Sequence, residues 1–455
     1  MPPGYATGIA ALLRALFRAA IAAAALAAAA CGGGGGSGGS GPLPSPTPVP
    51  QQGKILHVVI VFQENRTPDN LFQGLPGADI ATSGLNSKNQ RVALQPISIS
   101  ANYDLDHSHP GFESDYNGGQ MNGFDRTKFQ CLNPPCNPMT AYGYVPAAQV
   151  GPYLAMAQQY TFADRMFQTN SGPSFPAHQY IISATAVSAP STPLYAGANP
   201  TYANQNYGNC DGDPSSTVTM FNVDDGKPSL ARPCFDHQTL LDELDANGTS
   251  YRYYTPLKNG LWVGPDAISH LRFGPDWGNV VTPNTAIFDD ISKGVLPAVS
   301  WVIPTALASD HPSQTDGSGP SWVASVVNAI GNSQYWQNTA IFVVWDDWGG
   351  WYDHVPPQQF NAIELGFRVP LIVISPYAKA GYVSHVQHEF GSILHFTEET
   401  FSLPSLGYTD ARADDLADCF DFMQPPLTFR TIQSKYTASY FKSQPPSHTP
   451  VDDDF

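Results

Sequence analysis

Positive charge is what this sequence has least of. Its 455 residues hold 21 Lys and Arg against 38 Asp and Glu, a net charge of −17. No Lys/Arg cluster occurs, and without a basic face a nucleic-acid partner is excluded. Long apolar runs are missing as well. The best candidate, Ala19–Ala30, offers about twelve residues where a membrane-spanning helix needs roughly 20. No internal repeat is visible. Charged residues reach only 13% while hydrophobic residues make up 42%, so the chain can bury a large core and is not disordered.

The N-terminus carries address signals. Arg14 and Arg18 precede the Ala19–Ala30 run, which fits the apolar region of a signal peptide. Ala28-Ala29-Ala30-Cys31 resembles a lipobox, although the usual leucine three residues before the cysteine is absent and Leu26 lies five before it. Gly32–Gly41 reads as flexible coil and Pro42–Pro50 as an extended spacer, together reaching very roughly 40 Å. The expected organisation is a signal peptide over 1–30, a linker over 31–53 and a catalytic domain over 54–455. The expected location is exported, at the periplasm or cell surface, as an outer-membrane lipoprotein held only by lipid on Cys31. In an oxidising compartment Cys131–Cys136 and Cys210–Cys234 read as disulfides, which leaves Cys419 odd.

Short apolar runs separated by helical stretches predict an α/β fold with a mostly parallel central sheet flanked by helices. Strands are expected at Ile55–Phe62, Ala298–Ile303, Thr339–Trp345 and Val369–Ser375, with a weaker one at Tyr251–Tyr254. Helices are expected at Val145–Gln159, His237–Ala246, Ser321–Ile330 and Phe390–Phe401. Chemistry-bearing residues follow the four main strands: Gln63-Glu64-Asn65-Arg66, Ser309-Asp310-His311, Asp346-Asp347, and a loop with His385 and His388. In open parallel sheets, ligands bind beyond the carboxyl ends of the strands, so these groups should meet at one edge.

Glu64, Asn65, Asp346 and Asp347 are hard oxygen donors suited to a divalent cation. The commoner role of an Asp-Asp pair is loop solvation or capping, but this pair lies between a buried strand and Trp348-Gly349-Gly350-Trp351. In Gly172-Pro173-Ser174-Phe175-Pro176, Pro176 suits a first helical turn and sets Ser174 beside free amides. Such a serine is more often a cap than a nucleophile. His107, His109, His311, His354, His385 and His388 lie in loops, whereas His178 and His395 fall in helical stretches and read as structural.

Taken together, these segments resemble the bacterial phosphoesterase family, which contains acid phosphatases of the respiratory-burst-inhibiting type and phosphocholine-specific phospholipases C. The resemblance rests on Glu64-Asn65-Arg66 with Asp69 and Phe72, on Gly172–His178, on Asp310-His311-Pro312, on Asp346–Val355, and on Ser375–His385 followed by Ser392-Ile393-Leu394. It runs in order from about Lys54 to Gly407. Thr67-Pro68 stands where Ser-Phe is usual, and Ala177 where the family has asparagine. The resemblance implies an alkaline-phosphatase-like fold and one divalent metal ion of unknown identity held by Glu64, Asn65, Asp346 and Asp347. It further implies Ser174 as nucleophile through a phosphoserine intermediate, and His107, His311 and His354 lining the phosphate. Because the phospholipase branch usually carries further C-terminal β domains, the expectation is a phosphate monoesterase. A phospholipase C acting on phospholipid is the alternative, and a non-catalytic surface binding protein is a third reading.

Overall fold

The computed structural model describes residues 53–447, apart from 102, 132–136 and 138. The signal segment, Cys31, the linker through 52 and Cys136 lie outside the described residues. All described residues fall within the unit 49–455.

Eight strands form the central sheet: β1 His57–Gln63, β2 Thr161–Ala163, β3 Tyr251–Tyr254, β4 Val280–Val281, β5 Val299–Val302, β6 Thr339–Trp345, β7 Leu371–Ile374 and β8 Tyr382–Ser384. Their order is β4-β3-β5-β1-β6-β7-β2-β8. The five strands from β4 to β6 are parallel. β7 runs antiparallel to both its neighbours, and β2 and β8 run parallel to each other. The fold class expected from the sequence is therefore present, with one correction: Val369–Ser375 contains a strand that points the other way. No helix lies between Trp345 and Leu371 to carry the chain back over a face of the sheet. Parallel neighbours usually need such a crossover, so the chain reverses instead. The loop with His385 and His388 still reaches the expected edge, because β8, not β7, delivers it.

β1 and β6 are buried along nearly their whole length because both sheet faces are covered. Trp345 packs on Tyr153 of α2 (Gly151–Gln159), while Phe342 packs on Phe396 of α7 (Phe390–Phe401). Residues three apart on a strand face opposite ways, so α2 and α7 lie on opposite faces. α3 (Ser174–Ser183) shares the α7 face, where Trp301 of β5 donates to the Ile181 carbonyl. Further helices include α1 (His109–Tyr116), α4 (Leu240–Ala246), α5 (Ala286–Lys293) and α6 (Gly319–Gly331). Helix starts differ from expectation for local reasons. α4 begins only after Thr239, which forms a capping box with Asp242. α2 begins at Gly151, with Pro152 in its first turn.

Candidate active site

The register of two strands builds the site. Gln63 pairs with Trp345, so Glu64 and Asp346 leave the sheet side by side. The Asp346 carboxylate accepts from the Asn65 amide at 2.8 Å and the Asp347 amide at 2.7 Å. Asn65 adopts φ 59°, a left-handed conformation that asparagine tolerates better than most residues. Gly349 follows at φ 61°, and its amide donates to Asp347 at 2.7 Å.

Onto these carboxylates α3 lowers its first turn. Ser174 opens the helix behind Pro173, and its hydroxyl lies 3.3 Å from Glu64 Oε2 and 3.4 Å from Asp347 Oδ2. Ser174, Glu64, Asn65, Asp346 and Asp347 are all buried. Both side-chain atoms of Asn65 and the Oδ2 of Asp346 lack a hydrogen-bond partner. Buried polar atoms left without partners are costly, and oxygens of this kind suit a divalent cation. The four residues expected to hold a metal thus fit one.

His178 belongs to this group, which corrects its reading as a structural helix residue. Its Nε2 lies 3.2 Å from Glu64 Oε1. One ligand atom each from Glu64, His178 and Asp346 lie within 4.8 Å of one another. The sequence signal was the Ser174–His178 spacing, which places both side chains on one face of a helix.

His107 and His311 flank the group, with ring centroids 6.0 Å apart. The His107 ring sits 6.3 Å from Trp348, the residue after Asp347, and the His311 ring 6.2 Å from Trp262, against which His178 also stacks. Nδ1 of His107 donates to the Leu105 carbonyl at 2.7 Å, and Nδ1 of His311 to the Pro312 carbonyl at 2.6 Å. Those bonds fix the orientation of the two rings. His109 Nδ1 lies 3.0 Å from Ser171 Oγ, beside the turn that leads to Ser174.

His354 is placed elsewhere, against the expectation that it lines the phosphate. Its Nδ1 and Nε2 lie 2.8 Å and 3.0 Å from carboxylates of Asp69 and Asp79. Burial opposes charge on this ring, but the Asp69 carboxylate prevails and its pKa is raised. Buried Arg368 completes this separate network through Asp353 and Asp69. Arg66 is likewise turned from Ser174. It donates to the carbonyls of Asp310 and Ile99 and to Asn70, and burial lowers its pKa to about 10 despite Asp310.

His395 is structural as expected, its Nδ1 donating to the Ala413 carbonyl at 2.9 Å. The Cys210–Cys234 disulfide is formed. Cys131 is disulfide-bonded as well, while its expected partner Cys136 lies outside the described residues.

Residues 55–404 match the model of the phosphoesterase family. The chain belongs to that family. It is a hydrolase of phosphoric esters. It is 25% identical over 448 residues to phospholipase C B of Mycobacterium tuberculosis, covering 82% of this chain and 78% of that one. Against the non-hemolytic phospholipase C of Pseudomonas aeruginosa it is 23% identical over 433 residues, covering 81% of this chain and 57% of the relative. Among solved structures, a protein in the alkaline phosphatase superfamily from Vibrio parahaemolyticus aligns over 80% of this chain and 71% of its own, at 12% identity and a TM-score of 0.38.

Proposed function

We propose that this protein is a phosphodiesterase of the phospholipase C type, with Ser174 as nucleophile. This replaces the monoesterase expected from the sequence. The observation that carries it is electrostatic: the Ser174 hydroxyl lies against buried Glu64 and Asp347, buried Asp346 stands next to Asp347, and Arg66, which follows Asn65, is spent on Asn70 and backbone carbonyls. Glu64, Asp346 and Asp347 outweigh a divalent cation by one charge. Only protonated histidines can offset that surplus, and a diester calls for one positive charge beyond it where a monoester dianion calls for two. Relatives named phospholipase C over most of their length point the same way.

A divalent cation held by Glu64, Asn65, Asp346 and Asp347 would supply Lewis acidity for the hydroxyl and a phosphate oxygen. The Ser174 hydroxyl passes its proton toward the Glu64 carboxylate as Oγ attacks phosphorus in line. The bond to the lipid alcohol breaks, and a histidine protonates that leaving oxygen. His107 or His311, once its ring is protonated at Nε2 as well as Nδ1, donates Nε2–H to a phosphoryl oxygen. Water then cleaves the phosphoserine, restores Ser174 and releases the headgroup phosphate.

The test is a substrate comparison on the full chain. Phosphatidylcholine in mixed micelles should be cleaved to diacylglycerol with kcat/KM at least tenfold above that for an aryl phosphate monoester, about 1.4 kcal/mol in the barrier. Faster monoester cleavage would return the protein to the phosphatase reading. In this proposal residues 1–30 direct export, and lipid on Cys31 tethers the enzyme at a membrane surface. Mass analysis of the membrane fraction should find the lipidated cysteine. A soluble product whose N-terminus lies beyond Cys31 would overturn the tether.

A further inference from the structure

Cys419 has no disulfide partner and its thiol is buried. It ends the short 3-10 turn Ala417–Cys419, far along the chain from Ser174. Its Sγ lies 3.5 Å from Asp418 Oδ1, and the same oxygen lies 3.5 Å from His388 Nε2. One ligand atom each from His388, Asp418 and Cys419 fall within 4.8 Å of one another. Bonds of zinc to nitrogen, oxygen and sulfur in a tetrahedron set ligand atoms roughly 3.3–3.8 Å apart, so the two 3.5 Å separations already match a coordinated arrangement.

We propose that His388, Asp418 and Cys419 bind a zinc-class divalent cation, sharing no residue with the Ser174 group. The donor set is the first reason. Imidazole, carboxylate and thiolate favour a borderline-soft ion, whereas Glu64, Asn65, Asp346 and Asp347 offer hard oxygens. The second is support around the imidazole. Nδ1 of His388 lies 2.5 Å from Asp414 Oδ1, the outer carboxylate contact that commonly fixes a metal-binding histidine and aims its Nε2. Ser384 Oγ donates to the other Asp418 oxygen at 2.5 Å. The third is access. The His388 and Cys419 side chains are sealed, but that of Asp418 is 22% exposed, so the cluster reaches solvent through its carboxylate.

Binding has a proton balance. Without an ion a cysteine near neutral pH carries its thiol proton. Coordination forms an S–metal bond and releases the thiol proton to solvent, which makes affinity rise with pH. The bound ion would clamp the turn to the sheet edge. The Cys419 carbonyl already accepts from Thr161 Oγ1 of β2 at 3.0 Å, and Ser384 ends β8.

Cobalt titration of the purified, metal-stripped full chain tests this with a signal the Ser174 group cannot give. A thiolate-to-cobalt charge-transfer band should appear in wild type, persist in Asp346→Asn, and vanish in Cys419→Ala and His388→Gln. Zinc should raise the thermal midpoint of wild type further than that of Cys419→Ala, which keeps only the Ser174 cation site, and circular dichroism establishes that the variants are folded. No thiolate band in wild type at saturating cobalt would overturn the proposal, and so would a band that survives in Cys419→Ala. Neither outcome depends on ester hydrolysis.

Discussion

At the scale of single residues, the proposed chemistry rests on one hydroxyl held between carboxylates. Ser174→Ala should lower kcat/KM by at least roughly a thousandfold, since nothing nearby replaces a nucleophile. Its stability should stay within about 1 kcal/mol of wild type, because only one oxygen is lost. Near-normal turnover in that variant would move the nucleophile elsewhere. Asp346→Asn and Asp347→Asn should each reduce bound metal measured by mass spectrometry, as a neutral amide is a poorer ligand for a hard cation. Unchanged occupancy in both would remove them from the coordination sphere. Much of this group was legible in the sequence because its members sit directly beside readable strands. His178 and His354 were not legible for opposite reasons. His178 lies inside a helix, where an apolar context suggests packing, yet one helical turn from Ser174 it faces the carboxylates. His354 stands in the signature Asp346–Val355, but Asp69 and Asp79 arrive from distant sequence to claim both its nitrogens.

At the scale of elements, strand β6 matches its sequence span because a continuous apolar run ends in abrupt polarity, and β3 matches because three tyrosines mark a strand despite Arg252. Direction is a different matter. A buried strand has the same residue pattern whichever way it runs, so the reversal of β7 is written in its connection and not in its residues. The turn after β6 shows how closely an element is fitted to the site. A Cβ on Gly349 would meet the Asn65 carbonyl oxygen at 2.5 Å and Asn65 Cβ at 2.6 Å, and φ is already 61°. Gly349→Ala should therefore cost about 1–3 kcal/mol in unfolding free energy. It should also depress kcat/KM and metal occupancy together, by displacing Asn65. A variant as stable and active as wild type would show that the turn has slack.

At the scale of the whole molecule, stability should depend on pH through the His354 network. The folded-state pKa of His354 lies above the ordinary 6.5. A histidine raised by folding contributes in full below the unfolded value and loses that contribution as pH climbs through the folded one. Thermal midpoints should therefore fall as pH rises from slightly acidic toward mildly alkaline, more steeply in wild type than in His354→Gln. Equal slopes would remove His354 as the source. The sheet has a consequence in time as well. Residues 57–63 complete their ladder only by pairing with 339–345, so the site's two acidic arms, adjacent in the fold, come from segments far apart in the chain. Such high contact order slows folding, and no early fragment can contain both arms. A nascent chain therefore cannot assemble both carboxylate arms until residues 339–347 have emerged.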